Sequence, residues 1–467
     1  MSASDQGDAA RPLERSMGGA GALLITLSAI TPAASVFIVG SDVIARAGTG
    51  AFICFAAAAA ISLLVAFVYA ELASAFPVTG AEYSILGSVL GPSWGFMALG
   101  LNLVGAGLGQ ALTARGLALY LAVIVPGASS LPIALVAVIV ASGLAVLNIR
   151  ANAKVTGAFL ALELIALAVM AALGFFHPHQ SLTRIVLHPM MLAAGVLKPA
   201  SWRVIGLATA SAIFAYNGYG NAVSLGEELH HARSRIATVV IVSLLIAVVV
   251  EFAPVIAVLI GVKDPRAIFA AAAPMPAFIA SAAGPAIAKA ISLGVALAIF
   301  NALIAGALIN ARQLYATGRD RVWPGPISRA IERTHPRFRS PWVATAITGA
   351  VSAAACFLRL DTLIVLTANG VVVLYFGVCL AAIVGRLRGS TAMGAYRMPL
   401  FPLTPILALI ALCGVLWADL QDLAVGLPSL AASLVVMLLF AGYYRFWLRS
   451  RAGWALRGPD GDLAARG

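Results

Sequence analysis

The chain has 467 residues, of which 61% are hydrophobic and 10% charged, and its mean hydropathy is +0.99. A soluble domain carries about a quarter charged residues, so this composition excludes an ordinary soluble protein. A membrane-spanning helix needs ~20 apolar residues, and the chain has room for about twelve with short connections. The net charge of +12 is dispersed between apolar runs and never gathers in one soluble segment, which argues against a nucleic-acid partner.

Spans are predicted near residues 20–45, 50–74, 92–125, 131–149, 155–176, 202–227, 236–262, 285–318, 341–359, 362–385, 400–419 and 423–446. The first lies in a run from Ser16 to Ser41 without Asp, Glu, Lys or Arg, broken by Thr31-Pro32-Ala33-Ala34-Ser35. Pro32 has no N–H to give, so the helix yields near it. Freed N–H groups around Ala33, Ala34 and Ser35 would open the outer half-helix, whose dipole favours a carboxylate. A kink used only for packing is the alternative. Glu71 and Glu82 flank the end of the second span and are read as inner-gate contacts with Arg or backbone groups.

Three ionisable residues lie deep in spans: Arg115 in the third, Glu163 in the fifth and Glu251, near Pro254, in the seventh. Each is costly at the bilayer centre unless it meets a cavity or a partner. Arg115 and Glu251 either pair with each other or contact substrate. Glu163 is a candidate for the titrating group, since removal from water disfavours its charged form; binding Na+ or pairing with Arg115 are the alternatives. The connection from His177 to Ser201 is expected to be solvated around His177, His179 and His188, with an interfacial helix over Met190 to Leu197.

The sixth span carries the second break, Tyr216-Asn217-Gly218-Tyr219-Gly220-Asn221, in an uncharged run from Val204 to Gly226. Freed carbonyls of Phe214, Ala215 and Tyr216 suit an ammonium group. Asn217 and Asn221 add amides, and Tyr216 and Tyr219 are placed to wall the cavity or stack on a cation. Close helix packing explains Gly218 and Gly220 poorly, because one intervening residue is not the small-xxx-small spacing. The predicted substrate-binding set is therefore Thr31, Ala33, Ala34, Ser35, Phe214, Ala215, Tyr216, Asn217, Gly218 and Gly220. Interrupted helices at corresponding positions of two halves point to a transporter's midplane site.

Most of the 30 Lys and Arg residues fall in the connections assigned to the inside when both termini are cytoplasmic, with a cluster from Arg312 to Arg339. That asymmetry sets the orientation. The turn with Glu227, Glu228, Arg233 and Arg235 is read as a solvated loop or a gate salt bridge. Arg312, Arg319, Asp320 and Arg321 are read as an inner latch or as positive-inside anchors. The four cysteines (Cys54, Cys356, Cys379, Cys413) have neither metal nor disulfide spacing. No signal peptide is recognised, and no cofactor or metal is expected. The segment from Ile327 to Ile331 is amphipathic, and the tail after Arg449 is expected to lack order. The expected organisation is a tail at 1–19, five spans at 20–176, an outer loop at 177–201, five spans at 202–385, two further spans at 386–446 and a tail at 447–467. The first span of each five enters from the opposite side, as an inverted repeat requires.

Three segments carry a family resemblance. They are YAELASAFPVTGAEYSILG (Tyr69 to Gly87), FAYNGYGNAVSLGEELHHARSRI (Phe214 to Ile236) and NALIAGALINARQLYATGRDRVWP (Asn301 to Pro324). The chain resembles the amino acid–polyamine–organocation superfamily of permeases. The resemblance implies an all-α polytopic fold with a five-plus-five inverted repeat and two C-terminal helices. It further implies alternating-access transport of an amino acid, by proton symport or exchange, with sodium the less favoured ion. An amine or polyamine is the alternative cargo, and a non-transporting membrane sensor the remote one. The family usually has glycine-serine-glycine where this chain has Ala33-Ala34-Ser35, and many proton-coupled relatives have lysine where it has Glu163. No His lies in a span, which disfavours an enzyme. Lipid surrounds the protein, as a monomer or homodimer, in the plasma (inner) membrane.

Overall fold

The computed structural model describes residues 18–451 except 79, 125–126, 128, 148, 227–228 and 339, together with 454, 456–458 and 461–462. The loop reading of Glu227 and Glu228 therefore lies outside the described residues.

The chain begins with α1 (Gly19–Ile30), a single turn α2 (Pro32–Ala34), a π-helical stretch Ser35–Gly40 and α3 (Ser41–Ala47). A tight turn at Gly48–Gly50 leads into α4 (Ala51–Ala75), followed by the short α5 (Ala81–Val89) and the long α6 (Pro92–Ile124). Next come α7 (Ser130–Ala145), α8 (Ile149–Phe176) and α9 (Leu182–Leu187). After strands β1 (Met190–Ala193) and β2 (Val196–Pro199), α10 (Trp202–Ala215) runs into the second interruption. The chain continues through α11 (Ala232–Gly261), α12 (Pro265–Phe269), α13 (Pro274–Ala283) and α14 (Pro285–Arg319). It closes with α15 (Gly325–Ile331), α16 (Trp342–Ala355), α17 (Leu360–Leu387), α18 (Leu403–Leu420) and α19 (Gly426–Tyr443). Among the described residues, eight helical segments are long and apolar enough to cross a membrane, one of them running from Gly19 to Ala75 through the turn. The protein is a polytopic helical membrane protein.

Packing places α11 between α4 and α8, and α6 between α14 and α17. Backbones approach closely where α8 meets α11: a Cβ added at Gly174 would lie 2.0 Å from the Ala257 carbonyl oxygen. Such contacts rest on small residues, which let apolar helices gain dispersion energy in a solvent as apolar as themselves. A buried ion network fastens the end of α4 to the end of α17. Arg386 donates to Glu71 through Nε (2.9 Å) and Nη2 (2.5 Å), and the Met398 amide donates to the same carboxylate at 2.8 Å. Glu71 thus has both an arginine and a backbone partner.

Two local expectations need correction. Met190 to Leu197 is part of an antiparallel hairpin, not a helix, with Met190 opposite Pro199 and Ala193 opposite Val196. Its two-residue turn holds Ala194 and Gly195 at φ 51° and 75°, the positive-φ pair that a tight hairpin requires. The Thr49 hydroxyl accepts from the Met190 amide at 2.7 Å, docking β1 on the first turn. The tail after Arg449 also has ordered contacts: Leu456 is buried with Tyr83, Phe96 and Leu448. Trp454 gives this segment an anchor, its ring centroid 5.5 Å from that of Tyr444.

Candidate functional site

Both interruptions are real breaks in helical hydrogen bonding. Thr31 adopts the left-handed conformation (φ 56°, ψ 63°) just before Pro32. Proline disfavours the α conformation in its predecessor. The turn is held by Thr31 donating to the Leu27 carbonyl (3.2 Å) and Ser35 donating to the Thr31 carbonyl (3.0 Å). At the second break, α10 stops at Ala215, Asn217 donates to the Phe214 carbonyl (3.0 Å), and a 3₁₀ stretch resumes over Tyr219–Leu225. Gly218, at φ 122°, supplies a conformation that side chains disfavour.

The two breaks touch. Ser35 Oγ donates to the Ala215 carbonyl at 2.7 Å, so a carbonyl freed in one break is satisfied by the other. A Cβ at Gly218 would sit 3.0 Å from Ile30 Cα, the last residue of α1. Beside this junction lies a cavity of 220 Å³. That is below the ~300–1,000 Å³ of drug-sized sites and suits a small solute. Its lining combines the breaks with α4, α5, α6, α14 and α17. Towards the start of α3, the stretch Ser35–Gly40 packs directly on α6. Ile38 packs where a side chain at Gly116 would stand, and the Tyr120 hydroxyl donates to the Phe37 carbonyl.

Of the predicted substrate-binding set, Thr31, Ala34, Ser35, Phe214, Asn217, Gly218 and Gly220 line this cavity, as does Asn221. Ala33, Ala215 and Tyr216 do not. Ala33 is fully buried, and its amide donates to Glu163 Oε1, so the carboxylate cradle expected there is already filled by the chain itself. Ala215 offers its carbonyl to Ser35. Tyr216 points away and meets Phe55 edge-on, with centroids 5.8 Å apart. Tyr219 joins Tyr69 and Tyr375 in an aromatic triangle and is likewise fully buried. Neither ring stacks in the cavity.

Of the three deep charges, Arg115 stands apart, while Glu163 and Glu251 lie near each other. Arg115 donates to Ser130 Oγ at 3.0 Å, at the start of α7. It does not pair with Glu251 or Glu163, because its guanidinium is directed away from them, to the start of α7 and near Cys356. Glu163 (4% exposed) reaches the first break from α8. Glu251 is fully buried in α11, and neither carboxylate oxygen has a hydrogen-bond partner among the described residues. None of the three lines the cavity.

Sequence reasoning missed the polar wall opposite the breaks, formed by Asn102, Gln110 and Thr113 of α6, Asn310 and Gln313 of α14, and Thr367 of α17. The available signal was uncharged amides one helical turn apart, as at Asn310 and Gln313, beside small residues such as Gly105, Gly109 and Gly306. Glu82 was read as a gate residue bound by Arg or backbone. It points into the cavity, accepting from its own backbone amide, from the Tyr69 hydroxyl (2.9 Å) and from Asn102 Nδ2 (3.1 Å), with no arginine among these partners.

The family model for amino acid permeases matches residues 18–440, nearly the whole chain and both breaks. This chain belongs to the amino acid permease family. It thereby falls within the amino acid–polyamine–organocation superfamily. The permease is 25% identical to a methylthioribose transporter of Bacillus subtilis, over 87% of this chain and 90% of that protein. It is 26% identical to the branched-chain amino acid permease BcaP of the same organism, over 86% and 87%. It is also 24% identical to the serine/threonine exchanger SteT, over 85% and 89%. The family and these relatives are transporters, with small molecules as their named cargo.

Proposed function

We propose that this permease is a secondary active transporter moving amino acids across the plasma membrane by alternating access around the cavity between the two broken helices. The observation that carries this reading is the junction itself, where Ser35 of one break bonds Ala215 of the other beside a small polar cavity. Cargo bound there touches both interrupted segments at once. Twelve spans are proposed, with both termini cytoplasmic. Residues 20–176 and 202–385 form oppositely oriented five-span repeats, and 386–446 add two helices. In that orientation the packed side near Tyr120 faces outward.

Proton coupling is assigned to Glu163, with Glu251 as the second acidic group. A buried carboxylate with no cationic partner is stable only when it carries a proton or holds a cation. Glu163 has the more direct connection to cargo, since its proton occupancy bears on the Ala33 amide and hence on the break. The test is uptake into proteoliposomes with an imposed pH gradient and a panel of labelled amino acids and amines. Glu163→Gln should abolish gradient-driven accumulation while leaving substrate binding in place; accumulation that persists removes Glu163 from the mechanism. One observation favours the second cargo class, amines: the Ala33 amide is already taken, so one donor for a substrate carboxylate is missing.

A further inference from the structure

We propose that Glu82, carried into the cavity by the short helix α5, is a substrate-contacting residue that selects net-cationic cargo over neutral cargo. The inference rests on the transport reading above and specifies the chemistry of the same cavity. Among the described residues lining it, Glu82 is the one acid, and no Lys, Arg or His shares the wall. The rest of the polar surface is amide, hydroxyl and backbone, all electrically neutral. The fixed charge of the cavity is therefore set at one point.

The position of that point is built, not incidental. Glu82 is only 8% exposed, yet its carboxylate is aimed by Tyr69 from α4 on Oε1 and by Asn102 from α6 on Oε2, with its own backbone amide as a further donor. Each carboxylate oxygen accepts more than one hydrogen bond, so both retain capacity for a cation. Gly220, in the second break, backs the same oxygen: a Cβ there would lie 3.3 Å from Glu82 Oε1 and 3.0 Å from the Tyr69 ring. A side chain at 220 would press on the carboxylate that glycine leaves in place. Meanwhile Glu163 holds the Ala33 amide, which weakens the anion-binding end of the site. One end has lost a donor for a carboxylate and the other presents a negative charge. Both features favour cargo with an excess of ammonium or guanidinium groups.

A competing account makes Glu82 a strut that ties α4, α5 and α6 together and ignores the charge of the cargo. L-lysine and L-norleucine distinguish the two, because they share an α-amino acid group and differ in the terminal ammonium. Affinities of the purified full chain for each, and for cadaverine, are measured with wild type, Glu82→Gln and Glu82→Asp. Glu82→Gln keeps the shape and an acceptor for the Tyr69 hydroxyl, so the fold is retained. The wild type should prefer lysine to norleucine by about tenfold or more, the scale of one hydrogen bond to a charged group. Glu82→Gln should erase that preference and weaken cadaverine, while Glu82→Asp should retain it. A wild type without the preference, a preference unchanged in Glu82→Gln, or equal losses for lysine and norleucine would each overturn the assignment alone. A wild type that binds and transports none of the panel overturns the transport reading together with it.

Discussion

Removing the Glu71 carboxylate should destabilise the protein strongly and more than removing its arginine. Glu71 is fully buried and takes three strong hydrogen bonds, two from Arg386 and one from the Met398 amide, with Arg397 Nη1 a further 3.6 Å away. Deleting one member of a buried pair costs ~3–5 kcal/mol, because the partner is left desolvated and uncompensated. Arg386 keeps a second contact, its guanidinium carbon lying 4.4 Å from the centroid of the Phe401 ring, and it is partly solvated. The loss for Glu71→Ala should accordingly fall near the lower limit, ~3 kcal/mol. Arg386→Ala should cost less, since Arg397 and the Met398 amide still compensate the acid. The double variant strands neither charge and should lose less than the sum, with a coupling of at least ~1.5 kcal/mol. Equilibrium unfolding in mixed micelles, followed by tryptophan fluorescence, gives all four corners of the cycle. Losses that add to within ~0.5 kcal/mol would refute the argument and reduce the network to independent surface contacts.

Gly218→Ala should cripple transport without preventing insertion. The φ of 122° is strained for alanine, and the new methyl would meet the Ile30 backbone at 3.0 Å. Strain of this kind costs ~1–3 kcal/mol, and wild-type uptake rates in proteoliposomes would contradict it. The discrimination assigned to Glu82 should also depend on pH. Burial pushes the Glu82 pKa above the ordinary carboxylate value of 4.5, although hydrogen bonds from its own backbone amide, Tyr69 and Asn102 oppose the shift. The anion exists above that pKa, so the lysine-to-norleucine preference should grow as pH rises and fall on acidification, with a midpoint above 4.5. Tyr69, the other ionisable group touching the carboxylate, is a phenol and stays neutral throughout. A ratio that is flat with pH, or that falls equally in Glu82→Gln, would contradict this origin.

The helices and both breaks were legible in the sequence because each depends on local chemistry. Long uncharged runs give spans, Pro32 interrupts one, and Gly218 with Gly220 interrupts another. Partners on different helices were not legible. Nothing near Ala33 indicates that Glu163 will take its amide, and nothing near Arg115 indicates that Ser130, beyond the next turn, will hold its guanidinium. The hairpin over 190–199 was missed for a different reason. Its apolar residues have no periodicity that separates strand from helix, so the Ala194-Gly195 turn was the deciding feature. Glu82 was noticed as an acid near a span end, but its aim depends on Tyr69 and Asn102 from two other helices.

The bond between Glu163 and the Ala33 amide has a consequence for mutational order. The family usually places glycine at the first break, and reverting Ala33 to glycine removes only a methyl group. The amide that glycine would expose is donated to Glu163 whichever residue stands at 33. Such a reversion should therefore be nearly silent on its own and gain an effect only after Glu163 has changed. The two positions, 130 residues apart in the chain, should behave as an epistatic pair, with Ala33→Gly gaining an effect only where residue 163 no longer accepts the amide.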